Sequence, residues 1–492
     1  MNRLFLITLS ALALGGCALM DKGPEPAASI QGAALGLAAT QVEWPDEQWW
    51  RRYGDAQLDA LVDEALAGSP SMTAAQARLA QANAAIGRAR AGLYPSVEAN
   101  YALTRQHYSK NYLYPAPIGG SVGSDNRLAL DFSYEIDFWG KHRSEIEAAV
   151  SRAQAARADA QAARVMLAAA VVRSYLNLQD AYAQRDVLDK TIAQRGEIVQ
   201  ITRDRYAAGL DTQVEVKQAE SALSAARVER TQTEARIASL RNQAAALAGA
   251  GPERGQALRP VALARPATGV PGALPLELLG RRADVVAARW RAQAALGDIA
   301  SAKADFYPNV NLTAFLGFMS LSTATLVDSG SRIAGIGPAV SLPLFEGGRL
   351  NANLAGRRAE RDLAVADYNQ AVLDAVRQVA DAVDAIRLLE RETAEQRQAR
   401  EAIEAAYDLA VRRYRAGLGN YLSVLLAQND VLTQARLDTA LQVRAYQLDA
   451  ELAAALGGGY AEPPDAAAPD GPGAAPGTAD TQAAPAGAAP RD

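Results

Sequence analysis

The chain is written twice, and this limits what it can fold into more than any single motif does. Ala91-Gly92-Leu93-Tyr94-Pro95-Ser96-Val97 returns 213 positions later as Ala304-Asp305-Phe306-Tyr307-Pro308-Asn309-Val310. Phe138-Trp139-Gly140 returns as Phe345-Glu346-Gly347 at an offset of 207. Arg205-Tyr206-Ala207-Ala208-Gly209-Leu210 returns as Arg413-Tyr414-Arg415-Ala416-Gly417-Leu418 at an offset of 208. Three matches in one order at a near-constant offset mean two homologous halves. The period is far too long for a solenoid repeat, so each half is a whole structural unit.

Each half reads in the same order. A helix comes first, about 55–92 and 275–305, and ends at a Tyr-Pro pair, because proline disfavours the α conformation of the residue before it. Period-two stretches follow. Val97, Ala99, Tyr101 and Leu103 alternate with polar residues, as do Leu128, Leu130, Phe132, Tyr134 and Ile136. In the second half the strands fall at about 309–319 and 332–345. Gly/Ser/Pro-rich links (115–125 and 320–331) make one β-hairpin per half, about 95–138 and 309–345, with strands long enough to cross a bilayer when tilted.

An uninterrupted helical pattern then begins. Residues 144–208 hold no proline and a single glycine, Gly196, and at 1.5 Å per residue they span on the order of 95 Å. Ile146, Ala149, Ala153, Ala156, Ala160, Ala163, Leu167 and Ala170 keep a three-then-four spacing, as do Val372, Val376, Val379, Val383 and Ile386. That is a coiled-coil seam, and its small residues allow close helix approach. Gly209 and Gly417 stop the helices as C′ glycines, and a second helix runs back. The helical hairpins therefore cover about 144–248 and 350–456. The predicted fold class is mixed α+β, mostly α, with halves 49–250 and 275–456, a Gly/Pro/Ala-rich linker at 251–274, and a disordered Ala/Pro/Gly tail at 457–492.

Composition removes several function classes. With 49 % hydrophobic and 21 % charged residues the chain is not globally disordered. A mean hydropathy of −0.10 is too low for a bundle of transmembrane helices. The net charge of −5 argues against binding nucleic acid through bulk positive charge. One Cys and two His, His107 and His142, leave almost nothing for a metal site or a His relay. There is no P-loop and no HExxH. Gly119-Gly120-Ser121-Val122-Gly123 fits a nucleophile elbow only as letters, since it lies between two strands. The chain is not expected to be an enzyme.

The N-terminus is an address. Arg3 precedes an apolar run from Leu4 to Leu14 that is too short to span a bilayer. Leu14-Gly15-Gly16-Cys17 follows, with small residues before the only Cys, as in a lipobox. Residues 1–16 are thus expected to be a signal peptide and 17–48 a lipidated N-terminal segment. Cys17 would carry diacylglycerol and an N-acyl chain, the only covalent group expected. No cofactor and no metal are expected. Ala18, where an acid commonly marks inner-membrane retention, points to the outer membrane. Four amphipathic strands cannot close a barrel, and lipid does not tolerate open sheet edges, so several copies must join.

Four stretches carry a family resemblance. They are Trp50 with Ala56-x-Leu58-x-x-Leu61, Glu135-Ile136-Asp137-Phe138-Trp139-Gly140, Leu278-Leu279-Gly280-Arg281-Arg282-Ala283-Asp284-Val285, and Tyr421-Leu422-x-Val424-Leu425-x-Ala427-Gln428. From Trp49 to about Leu456 the chain resembles the TolC-type outer-membrane efflux proteins, and among them the lipoprotein subgroup often labelled NodT. The resemblance implies a homotrimer in outer-membrane lipid, with a twelve-stranded β-barrel above a periplasmic α-barrel. It implies docking through the helix tips to a periplasmic adaptor (membrane fusion) protein and an inner-membrane transporter. The function it implies is a passive exit duct of a tripartite efflux pump for drugs or other toxic small molecules. A non-pore, structural coiled-coil envelope lipoprotein is the alternative.

The resemblance also implies a gate at the periplasmic end. Leu422 falls on the family's hydrophobic position, Leu426 where an acid is usual, and Asn429 where a base is usual, with Asp430 the nearest acid. A gate of Leu422 and Leu426 would seal by dewetting; the competing reading makes both leucines seam core. Arg205, Tyr206, Gly209, Arg413, Tyr414 and Gly417 are candidate adaptor contacts or, equally, turn architecture. Aromatic residues from Tyr94 to Trp139 suit an interfacial belt, and packing between the barrels is the alternative for Trp139.

Overall fold

A computed structural model describes residues 20–30, 35, 37, 43–111, 113–263 and 277–463. The signal segment, Cys17, the later part of the linker and the tail from 464 onward lie outside the described residues. A 3-10 turn, Trp49–Tyr53, leads into α1 (Ala56–Gly68), α2 (Pro70–Ala91), β1 (Ser96–His107), β2 (Val122–Glu135), α3 (Lys141–Ala207) and α4 (Gln213–Leu247). Short helices α5 (Pro252–Gln256) and α6 (Leu278–Arg281) flank the link. The second half is α7 (Ala283–Ala304), β3 (Asn309–Ser320), β4 (Arg332–Ser341), α8 (Arg349–Arg415) and α9 (Tyr421–Ala455).

The repeat holds element by element: α2 and α7 have 22 residues each, α3 and α8 have 67, and α4 and α9 have 35. The long helices reach about 100 Å. They end in Schellman turns at Gly209 (φ +70°) and Gly417 (φ +77°), where Leu210 N–H reaches the Arg205 carbonyl and Leu418 N–H the Arg413 carbonyl, both at 2.9 Å. The return helices start on side-chain caps, Thr212 with Glu215 and Asn420 with Ser423.

Three expectations need correction. The helix at 55–92 is two helices. Ser69 ends α1 and caps α2 with its hydroxyl, and Pro70, lacking an N–H, sits at the first position of α2. The first part of the linker is built in: α5 interrupts it, and Leu258 is fully buried in the main core. Residues 457–463 belong to the folded body. Gly457, Gly458 and Gly459 all have positive φ and turn the chain sharply after α9, and a Cβ on Gly457 would meet the Arg281 carbonyl oxygen at 1.9 Å. Tyr460 then packs on Ala155, Ala158 and Trp290, while Glu462 pairs with Arg289 and accepts from Trp290 Nε1 at 2.9 Å.

The main core sits at mid-height. Trp49, Trp50, Tyr53, Leu58 and Leu61 pack on Tyr175, Leu176, Leu178 and Tyr182 of α3 and on the ends of α4 and α9. The alanine seam of α3 is only part of what that helix buries. Ala149, Ala153 and Leu167 are buried, but so are Ala148, Ala155, Ala158, Val171 and Val172 on other faces. Helices α1, α2, α4, α7 and α9 all contact α3, so a single two-helix seam underestimates its burial. α7 comes close to α3 at Gly297, where a Cβ would meet the Ser144 carbonyl oxygen at 2.8 Å and Ala148 Cβ at 3.0 Å.

The two predicted hairpins fuse. β2 pairs with β3, giving one antiparallel sheet in the order β1-β2-β3-β4 with open edges at β1 and β4. Directly opposed residues in an antiparallel sheet share a face. The register therefore lines up Val97, Ala99 and Tyr101 with Phe132, Leu130 and Leu128, then with Ala314, Leu316 and Phe318, and Ala314 and Leu316 with Ile336 and Ala334. One face is thus apolar across the middle of all four strands, with Asn126, Ser320 and Arg332 at its far end. The opposite face carries Glu98, Asn100 and Thr104 beside Asp131, Arg127 and Asp125.

Candidate functional site

The two copies of the Arg-Tyr-x-x-Gly-Leu tip do different work. In the first, Arg205 turns inward: its Nε and Nη2 hold Asp211 at 2.9 and 3.1 Å, and its Nη1 donates to the Tyr414 carbonyl at 2.9 Å. In the second, Tyr414 turns inward and is fully buried; its hydroxyl donates to Asp211 and its ring lies 4.5 Å under the Arg205 guanidinium. Burial works to raise the Asp211 carboxyl, but the bonds from Arg205 and Tyr414 win and hold it below its ordinary value. Burial and the Asp211 bond push Tyr414 up to about 12. One arginine and one tyrosine from different halves thus lock the two tips together.

The remaining tip residues face outward. Tyr206, Leu210, Val214 and Leu418 are exposed. Arg413 is also exposed and only touches the Leu418 carbonyl, at 3.4 Å. Gly209 and Gly417 shape the turns.

Over the first turns of α9, residues 421–430, the buried positions are Tyr421, Val424 and Gln428. Leu422 and Leu426, one turn apart, stand 55 % and 56 % exposed. Neither is core within the chain. Asp430 is exposed on the following turn. Asn429 is tied inward, its Oδ1 accepting from Arg195 Nη2 at 2.8 Å, while Arg195 Nη1 donates to the Ala222 carbonyl at 2.6 Å. Arg195 is 7 % exposed, and burial lowers its pKa. One buried guanidinium therefore fastens α9 to α3 and α4.

Sequence reasoning missed both Arg195 and Asp211. Arg195 had a signal: Thr191, Arg195, Ile198 and Thr202 keep a four-three-four spacing, and all four are buried. Asp211, two residues past the turn glycine, offered only a six-residue separation from Arg205.

Where the sheet meets the long helices, Trp139 stacks on Tyr307 at 4.6 Å and donates to the Pro308 carbonyl at 2.8 Å. This favours packing in the junction for Trp139, whereas Tyr94, Phe138 and Phe345 remain exposed around it. His142 is not exposed; it lies between Glu145 (3.2 Å) and Glu135 (3.5 Å). Ser121 of the GxSxG-like loop donates to the Ile118 carbonyl at 2.7 Å, and no base addresses it. Among the described residues no group of His, Cys, Asp and Glu could hold a metal, and no helix is long and apolar enough to cross a membrane.

The N-terminal segment runs along α8. Backbone N–H groups of Asp21, Ala27 and Ile30 donate to Asn351, Asp362 and Asn369 at 3.2, 3.1 and 2.8 Å, and Arg358 donates to the Asp21 carbonyl at 2.7 Å. Asp21 therefore lies at the sheet end of the helix.

A family model described as outer membrane efflux protein matches residues 61–250 and again 274–458, one match per half. The multidrug resistance outer membrane protein MdtP of Escherichia coli is 34 % identical over 474 residues, covering 94 % of this chain and 97 % of that one. The fusaric acid resistance protein FusA of Burkholderia cepacia is 39 % identical over 360 residues, 71 % of this chain and 68 % of that one. Among solved structures, the outer membrane protein VceC of Vibrio cholerae is similar with a TM-score of 0.79 at 37 % identity, covering 85 % of this chain and all of that one.

Proposed function

The chain belongs to the outer membrane efflux protein family, and from that premise we propose that it is one subunit of a trimeric exit duct, lipid-anchored through Cys17, in a pump completed by a periplasmic adaptor and an inner-membrane transporter. The observation that carries this reading is the four-stranded sheet with one continuous apolar face and two open edges. Among the described residues nothing covers that face, and lipid is the solvent that suits it. Unpaired edge groups are intolerable in lipid, so β1 of one copy must meet β4 of the next. Three copies supply twelve strands, enough for a barrel with a lumen. The helices, about 100 Å long, prolong the tube.

Position supports the anchor. Asp21, four positions after Cys17, lies at the sheet end of α8. Two or three acyl chains suffice for stable anchoring.

The gate follows from the exposed α9 stripe. Leu422 and Leu426 project from the chain near the tip, and repeated by threefold symmetry they form two apolar rings that seal by dewetting. The outward tip residues Tyr206 and Arg413, set by the turns at Gly209 and Gly417, supply the adaptor contact. Energy comes from the inner-membrane partner. The exported class includes drugs or other toxic small molecules, in keeping with the names of MdtP and FusA.

Conductance in planar bilayers tests the duct. The purified full-length protein is expected to open pores, and Leu422→Ala with Leu426→Ala is expected to raise conductance several-fold. A purified trimer that never conducts would leave the structural-lipoprotein reading in its place. A trimer structure with both leucines packed between helices would remove the gate.

A further inference from the structure

At mid-height a cleft of about 1040 Å³ opens between the two halves. Its walls come from equivalent stretches of the repeat. Residues 166, 170, 173 and 177 of α3 line one side, and 378, 381 and 385 of α8, with 451 and 455 of α9, line another. The volume is that of a site for a drug-sized molecule. Much of the lining is apolar: Met166, Ala169, Ala170, Leu247 and Leu448. Met166 is 72 % exposed, a large apolar side chain left without cover.

The charges that line this cleft are nearly all spent on one another. Arg282 is bound by Asp284 at 2.5 Å and Arg444 by Glu451 at 3.2 Å. Asp381 is held from outside the cleft by Arg377 at 3.0 Å. Arg173 alone is left: it is exposed, and no hydrogen bond or ion pair engages it among the described residues. Its counterpart in the second half, 208 positions on, is Asp381, so the repeat does not supply this cation twice. On the next residue of α3, the buried Ser174 hydroxyl has no partner either.

We propose that this cleft is a transit site for amphipathic organic anions, with a carboxylate on the Arg173 guanidinium and an apolar ring system along Met166, Ala169, Ala170 and Leu247. A guanidinium matches a carboxylate in a bidentate fork, and the surrounding alanines leave room for a flat ring. The proposal rests on the duct reading, in which solutes pass this wall. It adds a preference of charge and shape that the duct alone does not supply.

The test is calorimetric titration of the detergent-solubilised full-length protein with 2-naphthoate and with its neutral isostere 2-naphthamide. The expected result is naphthoate binding about ten-fold tighter than the amide, as one charge-assisted bond supplies. Arg173→Gln erases that difference and leaves the amide unchanged, and Arg173→Lys restores part of it. Met166→Glu, at an exposed position, weakens both probes by removing a ring contact and weakens naphthoate further through its charge. Equal binding of the two probes, binding of neither, or a naphthoate preference that survives Arg173→Gln overturns the proposal. Bilayer conductance of the same preparation separates the two readings. A conducting protein with no naphthoate preference ends the transit site and leaves the duct standing, whereas a non-conducting trimer ends the duct whatever it binds.

Discussion

Asp211 concentrates the chemistry of the tips in one carboxylate. It takes two bonds from Arg205 and one from Tyr414, and so joins the first helical hairpin to the second at the end farthest from the sheet. Asp211→Asn removes the charge and leaves Arg205 without its counter-ion, at a cost of about 1.5–3 kcal/mol for charge-assisted bonds. Tyr414→Phe loses one of the three bonds to the carboxylate and keeps the two from Arg205, at a cost of about 1.5 kcal/mol, the low end of the same range. Amide exchange is the measurement: protection over 199–207 and 410–416 should fall in that order. If neither variant changes it, the tips are held by apolar packing alone. The pH dependence follows from the sign of the shift. Folding holds the Asp211 carboxyl below its ordinary 3.8, so its contribution is complete above that value and fades only as pH falls below it. Tip protection is therefore expected to be level from about pH 8 to pH 5 and to drop below about pH 4. A drop near pH 6 would assign the lock to another group.

At the scale of elements, helix approach decides the packing. Gly297 lets α7 lie against α3 with a backbone carbonyl where a side chain would be. Gly297→Val forces that contact apart and is expected to cost about 1–3 kcal/mol or more, seen as a lower melting temperature. Gly87, in α2, has nothing within 4 Å of where a Cβ would stand. Gly87→Ala is expected to be neutral or to stabilise by up to about 1 kcal/mol through helix propensity. Equal effects of the two would mean that α7 does not pack so closely. Much of this scale is legible in the sequence. Repeated Tyr-Pro pairs, turn glycines and alternating strands fix the element order, because each acts through local backbone physics. What stays hidden is long-range. The β2–β3 pairing joins residues nearly 190 apart, and no local signal announces it. Arg205 and Tyr206 are lettered like Arg413 and Tyr414, yet only Arg205 and Tyr414 turn inward, because the two halves meet each other and not copies of themselves. The tail residues Tyr460 and Glu462 read as disordered by composition and dock by virtue of α7, a partner far away in the chain.

At the scale of the whole molecule, a single chain leaves its sheet open along one face and at both edges. A soluble four-stranded sheet hides its apolar face under helices, but here that face is bare from Val97 to Ile336. Both edges also need partners. Joining β4 to β1 of a neighbour heals every edge only if the ring closes, and closure makes assembly cooperative: two copies leave two edges open, and three leave none. Ala99→Pro, in β1, removes a backbone N–H that points away from β2 to the open edge, where the proposed ring makes its join. With a chain of 51.9 kDa, the unaltered protein in detergent is expected near 150 kDa by light scattering, lipid and detergent subtracted. The variant is expected near the monomer mass, with helical circular dichroism unchanged because β1 is 12 residues and lies outside the helical body. A trimer that survives Ala99→Pro would place the joining surface on the long helices, and the barrel would then be a consequence of assembly, not its cause.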